Sequence, residues 1–133
     1  MTTGPTAERE IVLVVDDEPT VRRLARRVLL EDGFEVIEAA DGAEALELVD
    51  GSGDPLRVVV SDIVMPKLNG LQACQAIKSD PETAHIPIIL VTTRGEAASL
   101  EAGYSSGCSD YVTKPVNSAE LLGKIRNILG PQQ

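Results

Sequence analysis

Three apolar runs and two shorter, mixed segments recur along the chain, and the apolar runs give way abruptly to polar residues. Ile11-Val12-Leu13-Val14-Val15 runs into Asp16-Asp17-Glu18-Pro19. Residues 34–38 form a shorter run, and residues 57–61, with Val58-Val59-Val60 at their centre, lead to Asp62. Pro87-Ile88-Ile89-Leu90-Val91 leads to Thr92-Thr93, and Asp110-Tyr111-Val112-Thr113 to Lys114-Pro115. Apolar β-branched runs without polar alternation predict strands covered on both faces. The segments between them have helical spacing. Pro19 opens a first helix with Val21, Leu24, Ala25, Val28 and Leu29 inward. Its arginines, Arg22, Arg23, Arg26 and Arg27, take the wet side, and Gly33 ends it. Asp41 caps a second helix over 43–49, closed by a loop over 51–55. A third spans 71–78 with Ala73, Cys74 and Ile77 inward, and Asp80-Pro81 breaks it. A weaker fourth is predicted over 96–106. The fifth, capped by Asn117 or Ser118, carries Leu121, Leu122, Ile125, Ile128 and Leu129 on one face until Gly130-Pro131.

Strand and helix alternate five times with short connections. This predicts an α/β fold, a doubly wound five-stranded parallel sheet between two helical layers. A length of 133 residues fits one domain, placed over 11–130 between tails at 1–10 and 131–133, with no output module attached. The net charge of −9, from 12 basic and 21 acidic residues, argues against direct DNA contact, which needs clustered Lys and Arg. It is compatible with a cation site or a basic partner. No apolar run approaches the ~20 residues that span a bilayer, and the polar start lacks a signal-peptide core. Membrane insertion is therefore not expected, and a cytoplasmic location is. Cys74 and Cys108 lack metal-type spacing and read as reduced, partly buried thiols. His85, the only histidine, sits in a loop sequence with no nucleophile pattern around it.

In a parallel sheet the strand C-terminal ends share one edge. There strand one delivers Asp16 and Asp17, strand three Asp62, strand four Thr92 and strand five Lys114. Carboxylates ~4 Å apart repel by about 4 kcal/mol per pair at an effective dielectric of ~20, and one lysine cannot offset three of them. An all-oxygen, incomplete ligand set suits Mg2+, with Mn2+ also possible, and does not suit zinc. A metal beside a carboxylate, a lysine and a hydroxyl is a phosphoryl-transfer environment. Asp62 is then the nucleophile that forms an acyl phosphate, Lys114 neutralises phosphoryl oxygens, and Thr92 donates a hydrogen bond to one.

The acidic pair Asp16-Asp17, Asp62 within Ser-Asp-Ile-Val-Met-Pro, Asn69-Gly70, Val91-Thr92 and Tyr111-Val112-Thr113-Lys114-Pro115 together resemble bacterial two-component response-regulator receiver domains of the stand-alone, chemotaxis type. The likeness runs from about Ile11 to Leu129. It implies a flavodoxin-like strand order of 2-1-3-4-5, taken over from the family. It also implies that Asp62 accepts a phosphoryl group from a phosphohistidine on a sensor histidine kinase or a histidine phosphotransfer protein. Asp17, Asp62 and the backbone carbonyl of Val64 bind Mg2+, with Asp16 acting through water. Lys114 and Thr92 contact the phosphoryl group, and the Lys114-Pro115 bond is cis. Thr92 and Tyr111 switch together, so that the face of the fourth helix, fifth strand and fifth helix changes for a downstream protein target. Val64 and Arg94 occupy positions that tune dephosphorylation in the family, and apolar Val64 predicts a long phosphorylated lifetime. Such a protein is a phosphoacceptor with at most intrinsic autophosphorylation and autodephosphorylation, not an enzyme. The alternative is an interaction module that keeps the fold but not the phosphorylation, although such modules usually lose an acid, the Lys or the Thr. An aspartyl-nucleophile phosphatase needs a second Asp two residues after the nucleophile, where Val64 stands.

Overall fold

The computed structural model describes residues 10–52, 56–63, 68–93, 105 and 107–129, with backbone only at 51, 52 and 93. Strands β1 (Ile11–Val15), β2 (Glu35–Ala39), β3 (Leu56–Asp62), β4 (Ile88–Thr93) and β5 (Asp110–Lys114) form one parallel sheet in the order 2-1-3-4-5. Helices α1 (Pro19–Glu31), α2 (Gly42–Ser52), α3 (Gly70–Ser79) and a last helix (Ser118–Leu129) cover its faces. The helix predicted over 96–106 lies outside the described residues.

The absence of polar alternation in β1, β3 and β4 has a direct cause: both their faces are buried. Val12, Val14, Val58, Val60, Ile89, Val91 and Val112 pack beneath Leu29 of α1 and Leu121 and Ile125 of the last helix. Leu13, Val15, Val59, Ile88 and Leu90 face the other way, onto Ala45 and Val49 of α2 and Cys74 and Ile77 of α3. Each fully buried Val, Leu or Ile contributes roughly 1.5–3 kcal/mol relative to exposure.

Helix starts follow side-chain chemistry. Asp41 accepts from the Glu44 amide at 2.8 Å. Asn69 and Gln72 cap each other reciprocally at 2.9 Å, and Asn117, rather than Ser118, accepts from the Glu120 amide at 3.0 Å. Gly33 has a φ of +95°, a left-handed conformation that suits glycine. Most boundaries shift by a residue or two from expectation, and three of the shifts have a plain cause or consequence. Phe34 is not in β2, because its amide donates to Leu29 O and completes the end of α1. Helix α2 continues through Gly51 and Ser52, since one glycine costs a helix only about 1 kcal/mol. Strand β4 runs on through Thr92 and Thr93.

Val21, Ala25, Val28 and Leu29 of α1 are buried or half-buried as the spacing predicts, but two positions require correction. Leu24 was expected inward but is 57% exposed, and Arg22 was expected in water but its side chain is only 18% exposed. Buried Leu29 sets the inward direction. At 3.6 residues per turn Leu24 lies about 140° away from it and Arg22 only about 20°. His85 is exposed in the turn between α3 and β4. Cys74 and Cys108 are buried and form no disulfide with each other. Burial pushes the Cys74 thiol up to about 11, so it is protonated and unreactive at neutral pH.

Candidate functional site

The sheet register places the polar residues that follow the strands. Val15 pairs with Ser61, Asp62 with Val91, Thr92 with Thr113 and Thr93 with Lys114. The C-terminal ends of β1, β3, β4 and β5 therefore lie along one edge, as the alternation predicts. Asp16, Asp17 and Asp62 each bring one carboxylate oxygen into a group whose atoms all lie within 4.8 Å of one another. Asp16 and Asp62 are buried and Asp17 is exposed. Lys114 Nζ lies 2.9 Å from Asp62 Oδ2 and 3.6 Å from Asp16 Oδ2. Thr92 is buried at the end of β4.

The electrostatics follow from burial and crowding. Burial raises the pKa of Asp16, and the charges of Asp62 and Asp17 add to the rise. The hydrogen bond from the Glu18 amide and the nearby Lys114 oppose it. Partial burial alone would lower the Lys114 pKa, but its hydrogen bond to Asp62 and the charges of Asp62, Asp16 and Glu18 turn the balance upward. One ammonium thus faces three carboxylates. The donors are all oxygen and the charge is unbalanced, so the residues fit a hard divalent cation such as Mg2+ better than zinc.

Two glycines permit close backbone approaches near the site, Gly70 at Asp62 and Gly42 at Leu68. A Cβ on Gly70 would stand 2.1 Å from Asp62 O and 2.9 Å from Ile63 Cα. Only glycine lets α3 start this close, with the Gly70 amide donating to Ile63 O at 2.8 Å. A Cβ on Gly42 would stand 2.4 Å from Leu68 O, while the Gly42 amide donates to that oxygen at 3.2 Å. Both glycines read as turn signals in the sequence. Their steric role depends on long-range approach, which sequence does not display.

The Lys114-Pro115 peptide bond is cis. Tyr111 is half-buried on β5, with Lys124 Nζ 4.8 Å above its ring and 3.3 Å from Asp110. Val64 and Arg94 lie outside the described residues. Sequence reading missed Arg22, whose guanidinium donates to the Asp16 carbonyl at 2.6 Å and to Glu38 at 3.2 Å. The available signal was its near-coincidence with Leu29 around the α1 axis.

Comparison with known proteins agrees with this architecture. Residues 12–126 match the response regulator receiver domain family. The chain is 38% identical over 120 residues to chemotaxis protein CheY1 of Helicobacter pylori, covering 90% of this chain and 96% of that protein. It is 39% identical over 118 residues to response regulator MprA of Mycolicibacterium vanbaalenii, covering 89% of this chain. It spans about half the length of relatives of the latter kind, 49% for MprA. The solved structure of Vibrio cholerae chemotaxis protein CheY4 superimposes with a TM-score of 0.83 at 29% identity, covering 90% of this chain and 98% of that one. On sequence, fold and the acidic edge of the sheet alike, the chain belongs to the response regulator receiver domain family.

Proposed function

We propose that this receiver domain is a phosphoryl-accepting switch in which Asp62 is the acceptor. The phosphoryl group comes from a phosphohistidine on a sensor histidine kinase or a histidine phosphotransfer protein. The observation that carries the reading is the cluster itself: Asp62 at the end of the central strand, hydrogen-bonded by Lys114 and crowded by Asp16 and Asp17. An Asp62 oxygen bonds to phosphorus as the phosphorus–nitrogen bond to imidazole breaks, and the imidazole nitrogen takes a proton from solvent. Lys114 holds positive charge beside the reacting oxygen, and the Thr92 hydroxyl donates to a phosphoryl oxygen. Asp17, Asp62 and the Val64 carbonyl would hold Mg2+, with Asp16 acting through water and Mn2+ able to substitute. When bound, the ion neutralises charge developing on the phosphoryl oxygens.

Phosphorylation replaces the Asp62 carboxylate charge that Lys114 pairs with by the larger negative charge of a phosphoryl group, set farther out. Thr92 and Tyr111 respond, and the face that includes β5 and the last helix shifts between two packings for a downstream protein to read. The acidic balance disfavours DNA as that reader. Turnover is limited to intrinsic loss of the phosphoryl group. Among the described residues no helix is long and apolar enough to cross a membrane, in keeping with a cytoplasmic site of action. The test is incubation with Mg2+ and a small acyl phosphate, followed by intact-mass measurement. One added phosphate on the wild type, absent from Asp62→Ala, is expected. No adduct on the wild type, or an adduct that survives Asp62→Ala, overturns the assignment.

A further inference from the structure

Asp16 is held at three points. Its amide donates to Ala39 O at 3.1 Å, and its Oδ1 accepts from the Glu18 amide at 2.9 Å. Its carbonyl accepts from Arg22 Nη1 at 2.6 Å. The third contact is the one that bears on Asp17. The Asp16 carbonyl belongs to the peptide unit that leads into Asp17, so its direction sets where the exposed Asp17 side chain starts. Arg22 is itself fixed: Nε donates to Glu38 Oε1 at 3.2 Å, and Arg26 Nε pairs with the other Glu38 oxygen at 3.6 Å. Glu38 lies in β2, next to β1 in the sheet. A planar guanidinium donates in two fixed directions at once, which a lysine ammonium does not reproduce.

We propose that Arg22, held by Glu38, is a positioning residue for the acidic pair, locking the Asp16–Asp17 peptide so that the Asp17 carboxylate meets Asp62. The inference rests on the reading that this cluster binds a divalent cation. Charge alone makes the opposite prediction, because removing a cation beside an acidic cluster tightens divalent binding. Positioning predicts weakening, of the order of the 10- to 100-fold seen when partners that orient metal ligands are lost.

The experiment is calorimetric titration of the intact protein with Mg2+. Arg22→Gln and Arg22→Lys are expected to raise the Mg2+ Kd about 10-fold. Arg23→Gln, which removes the same charge from the exposed side of α1, leaves it unchanged or slightly lower. Glu38→Gln weakens binding through Arg22, so the double variant binds no worse than Arg22→Gln. Should Arg22→Gln fail to fold, Arg22→Lys, which keeps the charge and loses the fork, carries the comparison. Phosphorylation by a small acyl phosphate supplies a second readout: the Mg2+ concentration for half-maximal rate rises while the rate at saturating Mg2+ is kept. Wild-type binding with an unchanged or lower Kd in Arg22→Gln and Glu38→Gln overturns this inference alone. Failure of the wild type to bind Mg2+ overturns it together with the function proposed above.

Discussion

Replacing Gly70 by alanine should destabilise the protein, although alanine is the better helix former. The added Cβ would lie 2.1 Å from Asp62 O, and each of its three nearest atoms belongs to the backbone of Asp62 or Ile63. To reach even 3.0 Å the start of α3 must retreat by about 0.9 Å. That stretches the 2.8 Å bond from the Gly70 amide to Ile63 O. Overpacking of this kind costs about 1–3 kcal/mol, and weakening a hydrogen bond costs about 1 kcal/mol more. The gain in helix propensity is at most ~1 kcal/mol. The net loss is roughly 1–3 kcal/mol, a fall in Tm of about 4–12 °C for a domain of this size. Gly123 is the internal control. It lies in the last helix, and a Cβ there meets nothing within 4 Å, so Gly123→Ala should stabilise by about 0.5–1 kcal/mol. Urea and thermal unfolding followed by circular dichroism, in EDTA, measure both. If Gly70→Ala is as stable as the wild type, the close approach of α3 to the Asp62 backbone has no energetic consequence and the steric reasoning fails.

Burial raises the Asp16 pKa above its unfolded value of 3.8, so the folded state keeps a proton that the unfolded chain releases in that window. Stability then falls as pH rises through it. Asp16→Asn should flatten this part of the urea-unfolding profile, and parallel profiles would refute the claim. Mg2+ at 100 times its Kd should stabilise the wild type by about 2.7 kcal/mol, with most of the gain lost in Asp17→Asn; an equal Tm rise in both proteins would count against the site. Leu29→Ala should cost about 2–5 kcal/mol, while Leu24→Ala, at a position 57% exposed, stays within about 0.5 kcal/mol. Equal losses would place the phase of α1 wrongly. Val64→Asn should shorten the life of the phosphorylated protein, followed by mass; no acceleration removes Val64 as a rate-setting residue.

What could be read from the sequence follows from which interactions are local. Alternation of strands and helices, and the delivery of Asp16, Asp62, Thr92 and Lys114 to one edge, depend only on apolar runs and their polar ends. Parallel topology does the rest. The caps at Asp41 and Asn117 were legible for the same reason, since each acts within three residues. The margins of the α1 stripe were not. Val21, Ala25, Val28 and Leu29 face inward as the spacing predicts, but beside them a salt-bridged Arg22 is half-buried and Leu24 is exposed. That choice depends on Glu38, sixteen residues away, and no periodicity encodes it. The roles of Gly42 and Gly70 were hidden similarly, because turn preference and lack of room produce the same residue.

Strand β3 has a property that the edge strands β2 and β5 do not share. Its valines are welcome on either face, so sliding the strand by one residue would exchange Val58 and Val60 for Val59 at little hydrophobic cost. Yet the same slide would carry Asp62 to the opposite side of the sheet. Greasiness therefore cannot tell this strand where to stop. The decision falls to its two ends, where Arg57 meets Glu10 at 3.4 Å and Ile63 receives the Gly70 amide. Single-residue insertions or deletions between those anchors should leave a chain that still collapses but misplaces its acid.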